Sequence, residues 1–424
     1  MTQLPLPLAG FRVLDYSQFV AGPLATMLLA DLGADVIKVE PPAGDAYRHY
    51  EPLGGGESRR FYALNRNKRS IICDLKSAGG RSLSRALLAT ADAVVHNMPP
   101  ERAVMFGLDE ESVRGANPLA VVSVVSAFGS EGPQAGRIGY DLIAQAYSGL
   151  LMTDARLEDE VPRRSGGIPY SDITAGLLAC ISVTAGLAAR AQGGSRHFEV
   201  SLLGAALATQ VQTFVRILDD VPAKGEAGMV STSKLTEVAA AIAEVDELEP
   251  YYRCYEAADG FFAVACLTSL QRRRVLDLLD LSDEWLENPQ RPPVSAEERA
   301  ARVDLARSFA VRFRRHPAKF WIARLCEAGV PAVEVRLAQQ LFDDEQVREN
   351  GLVRRVNQHR AGPVDVLGSV FKIDGAAIQP PTPAPGLGEH TDELMAELAI
   401  TAADGRTRGK PPAPEDVLGA RNGP

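Results

Sequence analysis

The stretch from Ser165 to Gly176 reads SGGIPYSDITAG, a polar turn with glycines that runs directly into the small-residue segment 177–189. Its acidic residue is Asp172. If the segment that follows is a buried helix, Asp172 lies at its amino end, where free backbone N–H groups and the helix macrodipole create a positive partial charge. The stretch is therefore a candidate place for negative charge to develop.

A purely structural interpretation of the same stretch is open. Asp and Ser are preferred at the residue that caps a helix amino end, because their side-chain oxygens accept a hydrogen bond from a free backbone N–H. Asp172 or Ser171 would then be an N-cap, and a cap can also have a chemical role.

A second candidate region is the run Asn65-Arg66-Asn67-Lys68-Arg69, which directly precedes an apolar segment, Ser70 to Leu75. Arg and Lys at the lip of a sheet suit the phosphates of a nucleotide or coenzyme, because guanidinium binds phosphate through two parallel hydrogen bonds. The alternative is a solvated polar turn before a strand.

The elements that would position these residues alternate between strand and helix. Phe11 to Asp15 predicts a strand, Leu24 to Leu32 a helix that stops at Gly33, and Asp35 to Glu40 a second buried strand. This βαβ unit predicts a parallel, doubly wound sheet, which binds ligands outside the carboxyl ends of its strands. The loop from Val20 to Pro23 lies at such an end.

The pattern changes after residue 215. Residues 219–249 are charged and less patterned, 251–268 predict a hairpin, and helices around 273–281 and 301–325 follow. We therefore predict a large domain in residues 1–215, a linker and small α+β domain in residues 216–329, and a return to the large domain in residues 330–424. Residues 330–336 predict a returning strand, and the end from Ala402 a flexible tail.

The length, composition and net charge of the chain exclude several classes of function. The chain has 424 residues, 46% hydrophobic, and a net charge of -9, which is no electrostatic signature of nucleic-acid binding. The scattered cysteines predict reduced core residues without a metal site; they are Cys73, Cys180, Cys254, Cys266 and Cys326. Neither a signal segment nor a membrane span is expected, so a cytoplasmic protein is predicted.

Several short motifs occur together in one order along the chain. They are Val13-Leu14-Asp15, Ala21-Gly22-Pro23, the segment from Leu32 to Glu40, Asn65 to Ser70, Asp74-Leu75-Lys76, Phe128-Gly129, Gly132-Pro133 and Gly388-Glu389-His390-Thr391. In this combination the chain closely resembles the class III (family III) CoA-transferases, the family of formyl-CoA:oxalate and carnitine CoA-transferases. The resemblance is strong from Phe11 to about Val200, weak in the small domain and good in the C-terminal segment.

The resemblance implies an α/β fold with a Rossmann-like large domain and a small inserted domain. It also implies an interlocked homodimer of ring-shaped subunits, with acyl-CoA and small carboxylic acids as substrates, no metal, and neither nucleic acid nor membrane as partner. Asp172 matches the family's nucleophile. A carboxylate that attacks the thioester of an acyl-CoA forms a mixed anhydride and CoA thiolate, and the thiolate then forms an aspartyl-CoA thioester.

In this interpretation an aspartate needs no general base, because it is ionised near neutral pH. The helix amino end and the amides of Gly166 and Gly167 are candidate donors to the oxyanion. The family match places the coenzyme against Val20, Ala21, Arg48, Leu75, Lys76, Asn97, Met98, Arg137 and Tyr140. Lys38 and Glu40 are interpreted as an ion pair at a strand end, and His390 and Thr391 as turn structure.

Two departures from the family pattern bear on the site. Met105 stands where the family has a phosphate-contacting cation, and Arg102, one helical turn earlier, is a candidate replacement. The glycine-rich flap that some members place over the aspartate has no counterpart between Tyr251 and Thr268.

Two other functions remain open on the sequence. The α-methylacyl-CoA racemases share the fold and use a histidine in a Gly-His-Asp run, but the chain has Gly139-Tyr140-Asp141. Tyrosine, with a pKa near 10, shuttles protons poorly at neutral pH, which favours transfer. A CoA-binding homologue without catalysis is the third possibility, and the presence of Asp172 argues against it.

Overall fold

The computed structural model describes residues 5–51, 58–153, 157–158, 160–163, 167–193, 196–215, 231–287, 293–378 and 381–403. The chain divides into two compact units. The first comprises Met1–Leu150, Gly166–Val221 and Asp344–Pro424, and the second Leu151–Ser165 and Pro222–Asp343. Each is described below by itself.

Short strands alternate with helices over the first part of the chain. In chain order the strands are β1 (Arg12–Asp15), β2 (Asp35–Glu40), β3 (Lys68–Ile72), β4 (Ala93–His96), β5 (Val121–Ser126), β6 (Leu157–Glu158), β7 (Val161–Pro162), β8 (His197–Ser201), β9 (Tyr252–Glu256), β10 (Phe261–Ala265), β11 (Ala332–Glu334), β12 (Val353–Gln358), β13 (Gly362–Leu367), β14 (Lys372–Ile373) and β15 (Ala376–Ala377).

The α-helices include one of 20 residues that begins close to Asp172. In chain order they are α1 (Ala21–Asp31), α2 (Arg59–Leu64), α3 (Ala78–Leu88), α4 (Pro100–Phe106), α5 (Glu110–Ala116), α6 (Asp141–Ser148), α7 (Tyr170–Ala189), α8 (Leu202–Thr209), α9 (Thr232–Leu248), α10 (Ser269–Leu279), α11 (Ala296–Phe313), α12 (Ala318–Glu327), α13 (Glu345–Glu349) and α14 (Thr391–Ala403).

The first unit is built on a six-stranded sheet in the order β3-β2-β1-β4-β5-β8. All neighbouring strands pair in parallel, as the βαβ pattern predicted. The inner strands are almost wholly buried, since a parallel sheet is covered by helices on both faces and its strands are correspondingly rich in Val and Ile. The strand order reverses between β1 and β4, and this position is where ligands bind in such sheets.

One face of α7 packs against α1 in the core of this unit. Ala175, Ala179 and Val183 belong to the same buried cluster as residues of α1 and β5. A Cβ added to Gly176 would lie 2.8 Å from the carbonyl oxygen of Ala21, so the two helix backbones approach closely. The small residues of α7 therefore permit close packing against α1 on this face.

The opposite face of α7 is exposed. The sequence suggested a buried helix, and the helix is buried on one face only. Leu177 and Ile181 have exposed side chains, one helical turn apart. By length and composition α7 also passes as a helix that could cross a membrane, a test that core helices of soluble proteins pass as well. Its buried face belongs to the core cluster described above.

The second unit has its own core beneath an antiparallel sheet in the order β11-β10-β9. The predicted hairpin is confirmed as β9 and β10. Residues 330–336 were expected to return to the large domain, and this was wrong: β11 pairs with β10 in the small sheet. The helix α9 occupies part of the segment that lacked a clear pattern, and Pro317 precedes α12, so the predicted helix 301–325 is two helices.

The C-terminal segment docks on β3. Gly388 N donates to Ser70 Oγ at 2.9 Å and His390 N to the Ser70 carbonyl oxygen at 3.0 Å. Thr391 Oγ1 accepts from Ile72 N and donates to the Gly388 carbonyl oxygen. His390 is therefore a turn residue, as predicted, whereas Thr391 is the first residue of α14, and its side chain fixes the turn before it.

The cysteines are unpaired, and their burial differs from expectation. Three are buried as predicted, whereas Cys254 and Cys326 are exposed. Both lie in the second unit, Cys254 on β9 and Cys326 near the end of α12.

Candidate active site

The loops after the parallel strands meet at one edge of the sheet, and they carry the predicted coenzyme residues. Val20 and Ala21 follow β1, and Asn97 and Met98 follow β4. Asn97 joins the two loops: its Oδ1 accepts from Gln18 N at 3.1 Å and its Nδ2 donates to the Gln18 carbonyl oxygen at 2.8 Å. A coenzyme at the reversal of strand order would lie on these joined loops.

The other predicted contacts follow the remaining strands. Leu75 is half-buried and Lys76 exposed in the loop after β3, and Arg102 is exposed on α4. Arg137 is exposed in the loop after β5, where its Nη1 donates to Gln134 Oε1 at 2.8 Å. Contact of these side chains with the coenzyme stays a prediction.

Arg48 lies inside the first unit, not on its surface. Its Nε and Nη2 each donate to the carboxylate of Glu40 at 2.7 Å, and Nη2 also donates to the Pro385 carbonyl oxygen. The guanidinium lies 3.7 Å from the centroid of the Phe61 ring, and the residue is 4% exposed. Arg48 therefore joins the end of β2 to the C-terminal segment, and its predicted contact with a phosphate stays a prediction.

Lys38 and Glu40 both form ion pairs, but they do not pair with each other as the sequence indicated. Glu40 is paired with Arg48, whereas Lys38 Nζ lies 2.8 Å from Asp45 Oδ2 and donates to the Ser17 carbonyl oxygen at 3.0 Å. Lys38 and Glu40 are two residues apart on β2 and share a face of the sheet, but each has a closer partner of opposite charge from the segment that follows the strand, Asp45 and Arg48.

A buried charge network lies beneath the loop that follows β1. Asp15 Oδ2 accepts from Lys68 Nζ at 3.0 Å and from Thr26 Oγ1 at 2.8 Å, and Lys68 Nζ also donates to the Pro23 carbonyl oxygen. The positive charges of Lys38 and Lys68 outweigh burial and hold the pKa of Asp15 below its usual value, while burial lowers the pKa of Lys68 to about 8. The network braces the loop that carries Val20.

The basic run 65–69 is accordingly neither a solvated turn nor a phosphate site. Arg66 and Lys68 are buried, and Arg66 donates to both oxygens of Asp31 at 2.6 and 3.1 Å. Arg69 pairs with Asp35 at 2.8 Å and with Glu397 of α14 at 2.7 Å. Both interpretations of the run were wrong, because the charges are used to join β3 to its neighbours.

Asp172 is the third residue of α7. The helix is capped by Pro169, without a side-chain hydrogen bond, so neither Ser171 nor Asp172 is the N-cap. The carboxyl group is half-buried, and burial together with the charge of Asp141 raises the pKa of Asp172 to about 7. At neutral pH the group is therefore close to its titration midpoint, whereas the sequence predicted a fully ionised aspartate.

Asp141 connects α6 to the first turn of α7. Its Oδ1 accepts from Ser171 N at 2.9 Å and its Oδ2 from Gln145 Nε2 at 2.6 Å. The N–H of Tyr170 donates to the Ile168 carbonyl oxygen. The first two backbone amides of α7 thus already have acceptors within the protein. An oxyanion formed at Asp172 would therefore have to be stabilised by other donors.

The predicted amide of Gly166 lies outside the described residues. Gly167 is described, and its φ of 79° is in the left-handed region that residues with side chains rarely adopt. The backbone therefore favours a glycine at position 167, three residues before α7 begins.

Three aromatic side chains are grouped in the same unit as Asp172. The Phe19 ring contacts Tyr47 and Tyr140 edge-on, with centroids 5.5 Å apart in both pairs. Burial raises the pKa of Tyr47, and the charge of Asp172 adds to this rise, which places the carboxylate near the tyrosine. Phe19 has a φ of 70°, an unusual conformation for a bulky residue and one that concentrates at functional sites.

Sequence reasoning missed three of these residues as members of the site. Asp141 had a signal, because it directly follows Tyr140 in a motif that was compared with the racemases. Tyr47 had a weaker one, its position beside Arg48. Phe19 had none, since no residue pattern marks a left-handed phenylalanine.

In the part of the chain that the structure describes, no group of three or more His, Cys, Asp or Glu side chains is arranged to hold a metal ion.

Comparison with known proteins gives one consistent result. The family model described as "CoA-transferase family III" matches residues 8–391. The chain is 30% identical to succinyl-CoA:glutarate CoA-transferase of Mus musculus over 92% of this chain and 86% of that protein. It is 29% identical to acetyl-CoA:oxalate CoA-transferase of Acetobacter aceti over 94% and 97% of the two chains.

A solved structure agrees with these relatives. The crystal structure of a CaiB/BaiF family protein from Brucella suis superposes with a TM-score of 0.72 at 28% identity. The match covers 93% of this chain and 100% of that chain.

Proposed function

Because the chain belongs to CoA-transferase family III and is a CoA-transferase, we propose that it moves coenzyme A from an acyl-CoA to a carboxylic acid through Asp172. The observation that carries this proposal is the carboxyl group of Asp172, half-buried at the start of α7 with its pKa raised to about 7. Strongly shifted titratable groups concentrate at functional sites.

The reaction divides into two exchanges. In the first, the ionised carboxylate of Asp172 attacks the thioester carbonyl and expels CoA thiolate, which leaves a mixed anhydride. The thiolate then attacks the Asp172 carbonyl and releases the donor acid, which leaves an aspartyl-CoA thioester. In the second, the acceptor carboxylate repeats these steps in reverse order, so that Asp172 is regenerated and a new acyl-CoA leaves.

The surroundings of Asp172 suit this chemistry. The rings of Phe19, Tyr47 and Tyr140 form an aromatic group in the same unit. In the proposed reaction this group would limit the access of water to the anhydride, which water would otherwise hydrolyse. The joined loops after β1 and β4 provide a rigid surface for the pantetheine arm and the phosphates. The names of the relatives support an acyl-CoA donor and a small carboxylic acid acceptor.

A covalent adduct tests the proposal. The protein is mixed with acyl-CoA and examined by intact mass and by hydroxylamine trapping, alongside Asp172→Ala and Asp172→Asn. We expect an adduct of CoA in the native protein and none in either variant. Exchange of deuterium at the acyl Cα without an adduct would indicate a racemase, and binding without either would indicate an inactive homologue; both results would overturn the proposal.

We also propose that the functional form is a homodimer. Exposed apolar side chains continue across α6, α7 and the residues that follow α8: they include Leu142, Tyr147, Leu177, Ile181 and Phe214. The three helices α6, α7 and α8 contact one another, and large exposed apolar areas on neighbouring elements are typical of protein interfaces. The family resemblance supports a second copy of this chain as the partner.

A further inference from the structure

We propose that Arg60 binds the non-reacting carboxylate of a dicarboxylic acid, and that Glu51 occupies its guanidinium while no acid is bound. This inference rests on the proposed function, since it requires an acid that reacts at Asp172. It assigns a substrate class to the site.

Arg60 is held beside aromatic side chains of the first unit. It is the second residue of α2, and its backbone N–H donates to the capping hydroxyl of Ser58 at 3.1 Å. Its guanidinium lies 5.0 Å from the centroid of the Tyr50 ring and 5.9 Å from that of Tyr47. Both rings are within the range of a cation–π contact, and such contacts restrict a guanidinium while leaving N–H groups that can bind a carboxylate through two hydrogen bonds.

Contacts between side chains link Arg60 to the start of α7 through Tyr47. The Tyr47 ring lies 5.5 Å from that of Phe19, and the Phe19 ring lies 5.5 Å from that of Tyr140. Asp141, which follows Tyr140, accepts a hydrogen bond from the backbone N–H of Ser171, the residue before Asp172. Arg60 and Asp172 therefore belong to one group of neighbouring residues, with Tyr47 next to Arg60. A ligand that touches both groups needs a reactive carboxyl at one end and a negative charge at the other.

Glu51 shows that the position accepts a carboxylate. Arg60 Nη2 donates to Glu51 Oε1 at 2.8 Å and Nε to Oε2 at 3.3 Å. The side chains of Glu51 and Arg60 are 65% and 42% exposed, and an ion pair so open to solvent contributes little stability. A substrate carboxylate can therefore replace that of Glu51 at small cost.

The backbone of Glu51 adds to this argument. Its φ of 50° lies in the left-handed region, which is unfavourable for a residue with a side chain. When a substrate carboxylate binds the guanidinium of Arg60, Glu51 loses its ion pair with Arg60, and with it the contact that accompanies this backbone conformation.

The test compares two five-carbon acids that differ in one carboxylate. Transfer of CoA to glutarate and to pentanoate is measured for the native protein, Arg60→Gln and Glu51→Gln, with Arg59→Gln as the matched control because Arg59 is the exposed neighbour on α2. We expect Arg60→Gln to lower kcat/KM for glutarate roughly 10- to 100-fold, the effect of one charge-assisted hydrogen-bonded pair. Its activity with pentanoate stays within about twofold, the range expected of a surface substitution.

Glu51→Gln gives the opposite result with glutarate. Removal of the internal competitor lowers KM for glutarate about two- to fivefold and leaves the value for pentanoate unchanged. Equal losses for both acids in Arg60→Gln, or a loss of the same size in Arg59→Gln, would overturn the inference. Thermal unfolding of each variant shows whether a loss comes from misfolding.

A binding measurement separates this inference from the proposed function. Calorimetric titration of glutarate into the free native protein and into Arg60→Gln needs no turnover. If no CoA is transferred to either acid, the proposed function fails, while the titration still decides whether Arg60 binds the dicarboxylate. Equal affinity of the two proteins for glutarate overturns the inference even where transfer is observed.

Discussion

The carboxyl group of Asp172 is subject to opposing effects. The amino end of α7 favours the ionised form, whereas burial and Asp141 favour the protonated form. The second pair of effects dominates, so the pKa is about 7 against an ordinary value of 3.8. In the proposed mechanism nucleophilic attack requires the ionised form of Asp172, so we expect the first exchange to depend on pH in the neutral range.

We predict that the rate of adduct formation rises with pH and has its midpoint near pH 7. The sign follows from the raised pKa: below it the carboxyl is protonated and cannot attack, and above it the carboxylate is fully available. The measurement is single-turnover adduct formation from acyl-CoA between pH 5.5 and 8.5. A rate that is constant over this range would contradict the prediction.

We predict that Asp141→Asn moves this midpoint to lower pH by about one unit, because it removes the like charge that disfavours ionisation of Asp172. The amide oxygen of asparagine can still accept the hydrogen bond from Ser171 N, so the first turn of α7 keeps its anchor. Glu111→Gln, an exposed acidic residue on α5, is the matched control. An unchanged midpoint in Asp141→Asn would show that burial alone sets the pKa.

At the scale of elements, the position of α7 depends on its contact with α1. We predict that Gly176→Ala destabilises the protein by about 1–3 kcal/mol, since the added Cβ would lie 2.8 Å from the Ala21 carbonyl oxygen and must displace backbone. Gly79→Ala on α3 is the control: no atom lies within 4 Å of its Cβ, and alanine there is expected to stabilise by up to about 1 kcal/mol. Urea unfolding measures both. The prediction is wrong if the two variants have equal stability.

The loop after β1 depends on its buried charges. We predict that Lys68→Met destabilises the protein by about 3–5 kcal/mol, because Asp15 then loses its closest positive partner in the interior. The comparison is Arg114→Met, which breaks an exposed pair with Glu110 on α5 and is expected to cost about 0.3–0.5 kcal/mol. Chemical denaturation of the two variants should show this contrast, and losses of similar size would contradict a special role for the network.

At the scale of the whole molecule, the exposed apolar side chains of α6 and α7 are the expected contact surface of the proposed homodimer. We predict a particle of twice the chain mass of 45.4 kDa in light scattering after gel filtration. Ile181→Asp, which places a charge on the exposed face of α7, is expected to reduce the dimer fraction. A monomeric native protein at micromolar concentration would overturn the homodimer.

Much of the first unit could be predicted because its signals are local. β1, α1 and β2 follow from one apolar run, one glycine stop and a second apolar run, and their parallel pairing follows from the connection between them. The strand pairing of the second unit was harder to predict. Residues 330–336 have the pattern of a strand, but a pattern does not name the neighbouring strand, and β11 joined the small sheet.

The site shows the same division between local and tertiary information. The sequence by itself determined that Asp172 precedes an apolar helix, that glycines surround it, and that the chain has the motifs of a CoA-transferase. Only the tertiary structure decided that burial and Asp141 raise the pKa of Asp172, that Arg48 and Lys68 are buried in ion pairs, and that Arg60 lies beside Tyr47 and Tyr50. The physical reason is that helix and strand patterns depend on residues close in sequence, whereas the charge state and partner of a side chain depend on groups brought near it from distant segments.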